Sequence, residues 1–540
     1  MKTILRYLVI AGSLILLAEP SLSGQIKFRD VTQKAGLIEP LRGMKGHGAA
    51  WGDVTGNGYP DLFYGTFAIY SNTEWDVRGH TGGASPNKLL LNKGNGTFTE
   101  VMESPVRVKS WNSGAAFADF DNDGDLDLVI SHQHHVDIPY GKLGNFLFEN
   151  DGKGNFTDVT EASNLYFEAP FLGRSTMVFD YDGDGLLDLF MQEDWVLADK
   201  GGSNSRLMKN MGDLMFKDVT AEAGFPHGFR EGLYGLGGFA ADINGDGWPD
   251  VFFAHSCRMF INNRDGTFHE KEYDLVDPAT REPATVNPDW TCGADLGDLD
   301  NDGDMDFVIG DHLDYRDSAN HHIYIILNEG NDENGDPVFR DITFEAGIVK
   351  SDTRAPHIEL QDIDNDGLID IMTAVCDQFI YRNRGTVNGI PMFYKPVGTG
   401  VTGGIGYWAA GPLGDYDRDG RLDFIGPDWE PAFASPLLRN VSKSAQNYIA
   451  VKPELKEGPN RNGIGARVEI YKAGMLGEKE GLLGTRIISV SNGYSSGTEA
   501  IANFGVPDDK HVDIRITMPA GGNVYTRKGV KRKQMIIITE

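Results

Sequence analysis

Asp119-Phe120-Asp121-Asn122-Asp123-Gly124-Asp125-Leu126-Asp127 is the stretch that decides the fold. Its acidic residues alternate, a glycine stands sixth and an aspartate closes it. Calcium takes six to eight oxygens at about 2.3–2.6 Å, and alternate residues of a tight loop can aim their oxygens at one point. Positions 1, 3, 5 and 9 then supply side-chain oxygens, and position 7 supplies its backbone carbonyl. Gly124 permits the positive φ that turns the chain around an ion. Magnesium suits such a cage less well, because it keeps several of its waters.

The same frame recurs without gaps, giving seven loops whose starts lie 53 to 66 residues apart. Positions 1, 3, 5, 7 and 9 are Asp53, Thr55, Asn57, Tyr59 and Asp61 in loop 1, and Asp119, Asp121, Asp123, Asp125 and Asp127 in loop 2. Loop 3 has Asp180, Asp182, Asp184, Leu186 and Asp188; loop 4 has Asp242, Asn244, Asp246, Trp248 and Asp250. Loop 5 has Asp298, Asp300, Asp302, Asp304 and Asp306; loop 6 has Asp362, Asp364, Asp366, Leu368 and Asp370. Loop 7 has Asp415, Asp417, Asp419, Arg421 and Asp423. Up to seven calcium ions are expected. With only Asp53 and Asp61 acidic, loop 1 is predicted to be the weakest site.

An EF-hand begins similarly but needs an acidic twelfth residue and flanking helices. Here position 12 is Tyr64, Ile130, Met191, Phe253, Ile309, Thr373 and Gly426, and the flanks show no helical period. They read as strands. Each unit also contains a strand ending in Asn, a glycine turn and then Phe, as in Asn92 to Phe98, Asn150 to Phe156 and Asn262 to Phe268. Four antiparallel strands per unit of about 60 residues make a propeller blade. The chain is therefore predicted to be all-β, with a seven-bladed β-propeller over residues 24–440. Closing the ring hides its edges. The seventh unit stops at Asn440 without the last strand, and the missing piece reads as Phe28-Arg29-Asp30-Val31-Thr32. That strand is expected to complete the last blade. Alternating runs at 448–452, 466–471 and 512–517 predict a small β domain over 441–540.

A net charge of −30 argues against nucleic acid and anionic membrane as partners. Lys2 and Arg6 precede an apolar run at 7–18, too short to span a bilayer. With Ser21-Leu22-Ser23 it reads as an export signal over residues 1–23, placing the protein in a secreted, periplasmic or extracellular setting. No other run is long enough to span. Three cysteines, Cys257, Cys292 and Cys376, cannot form a disulfide framework. Cys257 and Cys292 fall on one face in adjacent units, and a bridge between them stays open.

Each loop joins the first two strands of its unit, so all seven loops share one face. Trp111, Arg174, Trp290, His357 and Trp408 stand at the starts of first strands, and His132, His255 and His312 follow second strands. These residues should meet on the opposite face, and Trp and Arg are types favoured at binding hot spots. A ligand site for a glycan or an extracellular protein is expected there. A carbohydrate-active lyase, dehydratase or hydrolase on the same face is the alternative, although no nucleophile motif or acid/base spacing favours it. A cell-surface adhesion module is another.

The units resemble the FG-GAP, or integrin-type, propeller repeat. Asn460 to Val468, Gly493-Tyr494-Ser495-Ser496, Phe504-Gly505 and Met518-Pro519-Ala520-Gly521 resemble the ASPIC/UnbV domain. Together they are similar to the cartilage acidic protein family and its bacterial relatives. The family more often has Trp-Pro-Ser-Gly where this chain has Met518 to Gly521, and a longer Phe-Gly-Leu-Gly run where it has Phe504 to Pro507. The resemblance implies an extracellular calcium-binding protein and no firm catalytic activity.

Overall fold

The computed structural model describes residues 26–67, 85–109, 111–133, 143–167, 173–193, 205–226, 233, 235–271, 291–311, 323–348, 357–373, 380–394, 411–428, 435–491, 493–494, 496–506 and 509–540. Residues 1–23, read above as an export signal, and Trp290, Trp408, His312 and Cys376 lie outside them. Among the described residues no helix is long and apolar enough to cross a membrane.

The second unit shows how the local sequence becomes a sheet. Trp111–Ala118 is a strand of small residues, buried everywhere but at Trp111. It enters loop 2 and returns as Asp127–Gln133, in register from Ala118 opposite Asp127. Phe146–Asn150 and Phe156–Asp158 complete an antiparallel meander. Gly114, Ala115, Ala116 and Ala118 keep the innermost strand thin where neighbouring units converge. The larger side chains fill the space between units: Phe63 and Leu89 of the first pack with Phe117, Leu128 and Phe148 of the second. Burying such apolar surface is the main source of stability between units.

The other units repeat the plan. Four-stranded sheets begin at Gly173–Phe179, Gly238–Ala241 and Thr291–Gly297. The first unit, beginning at Gly46–Gly52, accepts a fifth strand. In the sixth, a three-stranded sheet is followed by the separate hairpin Asn383–Val387 and Ile390–Phe393. The seventh takes its fourth strand from the other end of the chain, as expected. Phe28 pairs with Asn440, Arg29 with Arg439 and Asp30 with Leu438. Ile26 and Phe28 are buried with Leu422, Phe424 and Leu438. This is a β-propeller.

Residues beyond 440 form two further sheets. One pairs Tyr448–Pro453 with Ala502–Gly505 and Gln534–Ile538; the other contains Leu482–Ile487, Arg467–Lys472, His511–Thr517 and Val524–Lys531. Val468, Ile470, Phe504, Ile514 and Ile516 form their shared core. The added strand of the first unit also comes from here: Ser496 and Gly497 run parallel to Ala49 and Ala50.

Candidate functional site

In loop 2, Oδ2 of Asp119 accepts the Gly124 N–H at 3.1 Å, and the carboxylates of Asp121 and Asp123 each accept the N–H two residues on. These bonds hold one carboxylate oxygen from each of Asp119, Asp121 and Asp123 within 4.8 Å of one another. Loops 3, 5, 6 and 7 gather three aspartates in the same way. Loops 1 and 4, with Thr55, Asn57 and Asn244, do not form such a group among the described residues. The glycine at position 6 has positive φ in all seven loops, from 83° at Gly420 to 105° at Gly124. Position 4 shares the left-handed conformation, which accounts for its run of Asn and Gly; Arg418, with φ of 57°, is the exception in chemistry.

The electrostatics suit a cation. Burial first, then the charges of Asp121 and Asp123, push Asp119 up to about 7. Burial pushes Asp298 up to about 7 and Asp362 up to about 8. Carboxylates crowded this way out of water keep their charge only beside a positive partner. Five groups of oxygen donors in this condition fit a hard divalent ion.

Position 9 has a second duty. Its Oδ1 accepts a backbone N–H in every unit, from Asn92, Asn150, Asn210, Asn262, Asn328, Asn383 and Asn440 in turn. Asn92, Asn150, Asn210, Asn262 and Asn440 end their strands, whereas Asn328 lies within Tyr324–Asn331 and Asn383 opens Asn383–Val387. Asn150 Nδ2 donates to Val54 O in the preceding unit at 3.0 Å and to Leu126 O of its own loop at 3.1 Å. Asn210, Asn262, Asn328 and Asn383 repeat both bonds. Asn440 reaches Ile363 O, and Asn92 reaches back to Tyr416 O of the seventh unit. The bonds run from unit to unit and return to the first.

The loop face is covered by the C-terminal region. Asn460 N–H donates to Asn122 Oδ1, Ala520 N–H to Gly247 O and Gly505 N–H to Asp362 Oδ2. Arg418 pairs with Glu499 at 2.6 Å. From this cover one segment enters the middle of the ring. Ser491 Oγ accepts Val178 N–H, Gly493 O accepts Gly238 N–H, and Gly493 N–H donates to Ala294 O. Ser496 Oγ accepts Gly411 N–H. A Cβ at Gly497 would stand 2.5 Å from Ala115 O, so only glycine fits there. Tyr494 reaches furthest. Its hydroxyl lies 3.0 Å from His47 Nε2 and accepts from Arg174 Nη1 at 3.3 Å. The sequence marks Gly493 to Ser496 as a motif; its contacts reach other units and leave no periodic trace.

The predicted ligand residues divide. Arg174 and Trp111 come together around Phe67: Trp111 stacks on it at 5.3 Å, the Arg174 guanidinium lies 5.7 Å from its ring, and His47 stacks at 4.6 Å. His357 is buried against the inserted segment, with Nδ1 3.1 Å from Tyr494 O. His132 is buried beside Phe146, and His255 Nδ1 lies 2.9 Å from Thr291 O. Cys257 and Cys292 do not bridge each other; Cys257 Sγ donates to Ala254 O.

The FG-GAP-like repeat family matches residues 77–130 and 242–309, and the ASPIC and UnbV family matches residues 456–540. Cartilage acidic protein 1 of Xenopus tropicalis is 26% identical over 485 residues, covering 84% of this chain and 68% of its own. The Mus musculus protein is 25% identical over 488 residues, covering 82% and 68%. Among solved structures, an Agrocybe aegerita lectin specific for non-reducing terminal N-acetylglucosamine aligns with a TM-score of 0.40 and 16% identity, over 74% of this chain and 94% of the lectin. The chain thus carries FG-GAP-like repeats followed by an ASPIC and UnbV domain, and is homologous to cartilage acidic protein 1 over most of its length.

Proposed function

We propose that this is an exported, calcium-binding protein that recognises a glycan or an extracellular protein through the face opposite its acidic loops. In this reading residues 24–440 are a seven-bladed ring, and residues 441–540 are a docked domain that lends Tyr494 to the opposite face. The observation that carries the ligand site is the group of Trp111, Phe67, Arg174, His47 and Tyr494, which combines flat apolar rings with a guanidinium and a hydroxyl. Trp111 and Arg174, the partly exposed members, offer contact area at low entropic cost, and the buried Phe67, His47 and Tyr494 behind them hold their orientation. Calcium stabilises the loops under the docked domain and takes no part in the contact with the ligand.

A catalytic use of the same face is the second reading, favoured by one contact: a tyrosine hydroxyl shared between a histidine and an arginine can move or hold a proton. A glycan array on the calcium-loaded protein, with product formation followed in parallel, separates the two. Saturable binding without turnover, weakened by Trp111→Ala, supports recognition. Turnover lost in Tyr494→Phe supports the enzyme. Binding unchanged by Trp111→Ala and Arg174→Ala together removes the site from this face.

A further inference from the structure

Three loops hold a positive charge of their own where an ion would sit. In loop 3, Lys209 Nζ pairs with Asp182 and lies 3.0 Å from Asp184 Oδ2. In loop 6, Arg382 lies 2.5 Å from Asp364 Oδ2 and 3.1 Å from Asp366 Oδ2. In loop 7, Arg439 lies 2.6 Å from Asp417 Oδ2 and 2.7 Å from Asp419 Oδ2. Each cation comes from the same place, the residue before the asparagine whose N–H meets position 9, and each spans positions 3 and 5 of its own loop. The equivalent residue is Glu149 in the second unit and Leu327 in the fifth. Loops 2 and 5 are also the two with aspartate at position 7, Asp125 and Asp304, which makes them the most acidic of the seven.

We propose that Lys209, Arg382 and Arg439 are internal substitutes for a divalent cation, leaving loops 2 and 5 as the tight calcium sites. This rests on the calcium reading given above and divides the loops within it. A second observation concerns the buried oxygens that lack a hydrogen bond. Oδ1 of Asp119 and both carboxylate oxygens of Asp298 have no hydrogen-bond partner, although these residues are only 2% and 0% exposed. Loops 3, 6 and 7 hold such oxygens too, on Asp182, Asp364 and Asp417, but there Lys209, Arg382 or Arg439 lies against the same carboxylate. A buried carboxylate oxygen left this way is costly unless a cation meets it. In loops 3, 6 and 7 a calcium ion would have to enter beside a fixed ammonium or guanidinium about one ion-pair distance away. Repulsion between a divalent and a monovalent cation in a partly dry loop costs several-fold to many-fold in affinity. Loop 1 lacks the carboxylates, and in loop 4 Arg264 pairs with Asp246 at 2.8 Å while position 3 is Asn244.

The test is native mass spectrometry of the full chain, stripped with a chelator and titrated with calcium chloride. Two ions are expected at the lowest calcium concentrations. Lys209→Met should add a third, with affinity at that loop raised about tenfold or more. Glu149→Lys should remove one of the original two. Arg439→Met gives a second gain-of-site variant should Lys209→Met fold poorly, and circular dichroism checks both. Five or more equivalent ions in the wild type, or counts unmoved by Lys209→Met, Arg439→Met and Glu149→Lys, would overturn the substitution while leaving calcium binding intact. No bound calcium in any form of the protein would overturn both.

Discussion

Replacing Asn210 by Ala removes one of the stitches between units. Asn210 is fully buried, and its Nδ2 donates to Phe120 O of the second unit at 2.8 Å and to Leu187 O of its own loop at 3.1 Å. Its Oδ1 accepts Gly212 N–H at 3.0 Å in the following turn. Alanine leaves two buried carbonyls unmet, each at a cost of about 1–3 kcal/mol. The expected loss is therefore about 2–6 kcal/mol. Asn210→Asp keeps the acceptor for Gly212 but turns an oxygen toward both carbonyls, so it should be at least as damaging. Asn155→Ala, whose exposed amide meets only Asp151, is the control and should stay within about 0.5 kcal/mol of wild type. The assay is equilibrium urea denaturation at fixed calcium, followed by tryptophan fluorescence. If Asn210→Ala stays within about 0.5 kcal/mol of wild type, the bonds between units do not carry the stability assigned to them.

Four further outcomes are expected. Phe28→Ala should cost about 3–5 kcal/mol, and deleting residues 24–37 should lower the melting temperature by much more; an unchanged calorimetric trace would contradict ring closure by that strand. Chelation should lower the melting temperature and calcium should restore it, by about 2.7 kcal/mol for each tight site at a hundredfold excess over Kd; a trace indifferent to chelator would argue against the loops as metal sites. Burial holds His357 down to about 4, against about 6.5 in the unfolded chain. Because the folded value is depressed, its contribution is complete above pH about 6.5 and is lost as pH falls toward about 4, up to about 3 kcal/mol; the stability curve of His357→Asn should lack that segment. Tyr494→Phe removes the hydroxyl shared by His47 and Arg174 and should cost about 1–3 kcal/mol in thermal or urea unfolding.

Reading the chain residue by residue recovers what repeats. The Asp–x–Asp–x–Asp–Gly frame carries its own geometry, so the positive φ of Gly124 and its six counterparts, and the lack of a three-carboxylate group in loop 1 among the described residues, follow from residue types alone. Phe28 to Asp30 are legible as the strand missing from the last unit because the repeat says what belongs there. The asparagines are visible, but their partners are carbonyls of a neighbouring unit, such as Val54 O for Asn150, and backbone atoms leave no mark in a sequence. Lys209, Arg382 and Arg439 are separated from their aspartates by a strand and a turn, so charge counting along each nine-residue loop misses them. The inserted segment is the hardest to foresee. Ser491, Gly493 and Tyr494 touch units hundreds of residues away, and nothing in their own periodicity announces it.

Both closures of the first and last units join distant parts of the chain. Leu437 and Thr32 are 405 residues apart, and Tyr494 and His47 are 447 apart. During synthesis, at about 5–20 residues per second, the first unit must wait on the order of tens of seconds for its partners to exist. Until then its innermost strand has an open flank and Phe28–Asp30 has no strand to pair with, the condition that favours mispairing with other chains. Assembly of the centre therefore waits on synthesis through residue 497, and a nascent chain interrupted before it cannot assemble the native centre. High contact order of this kind predicts slow refolding from denaturant and a need for protected time, whether from chaperones or from transport in an unfolded form.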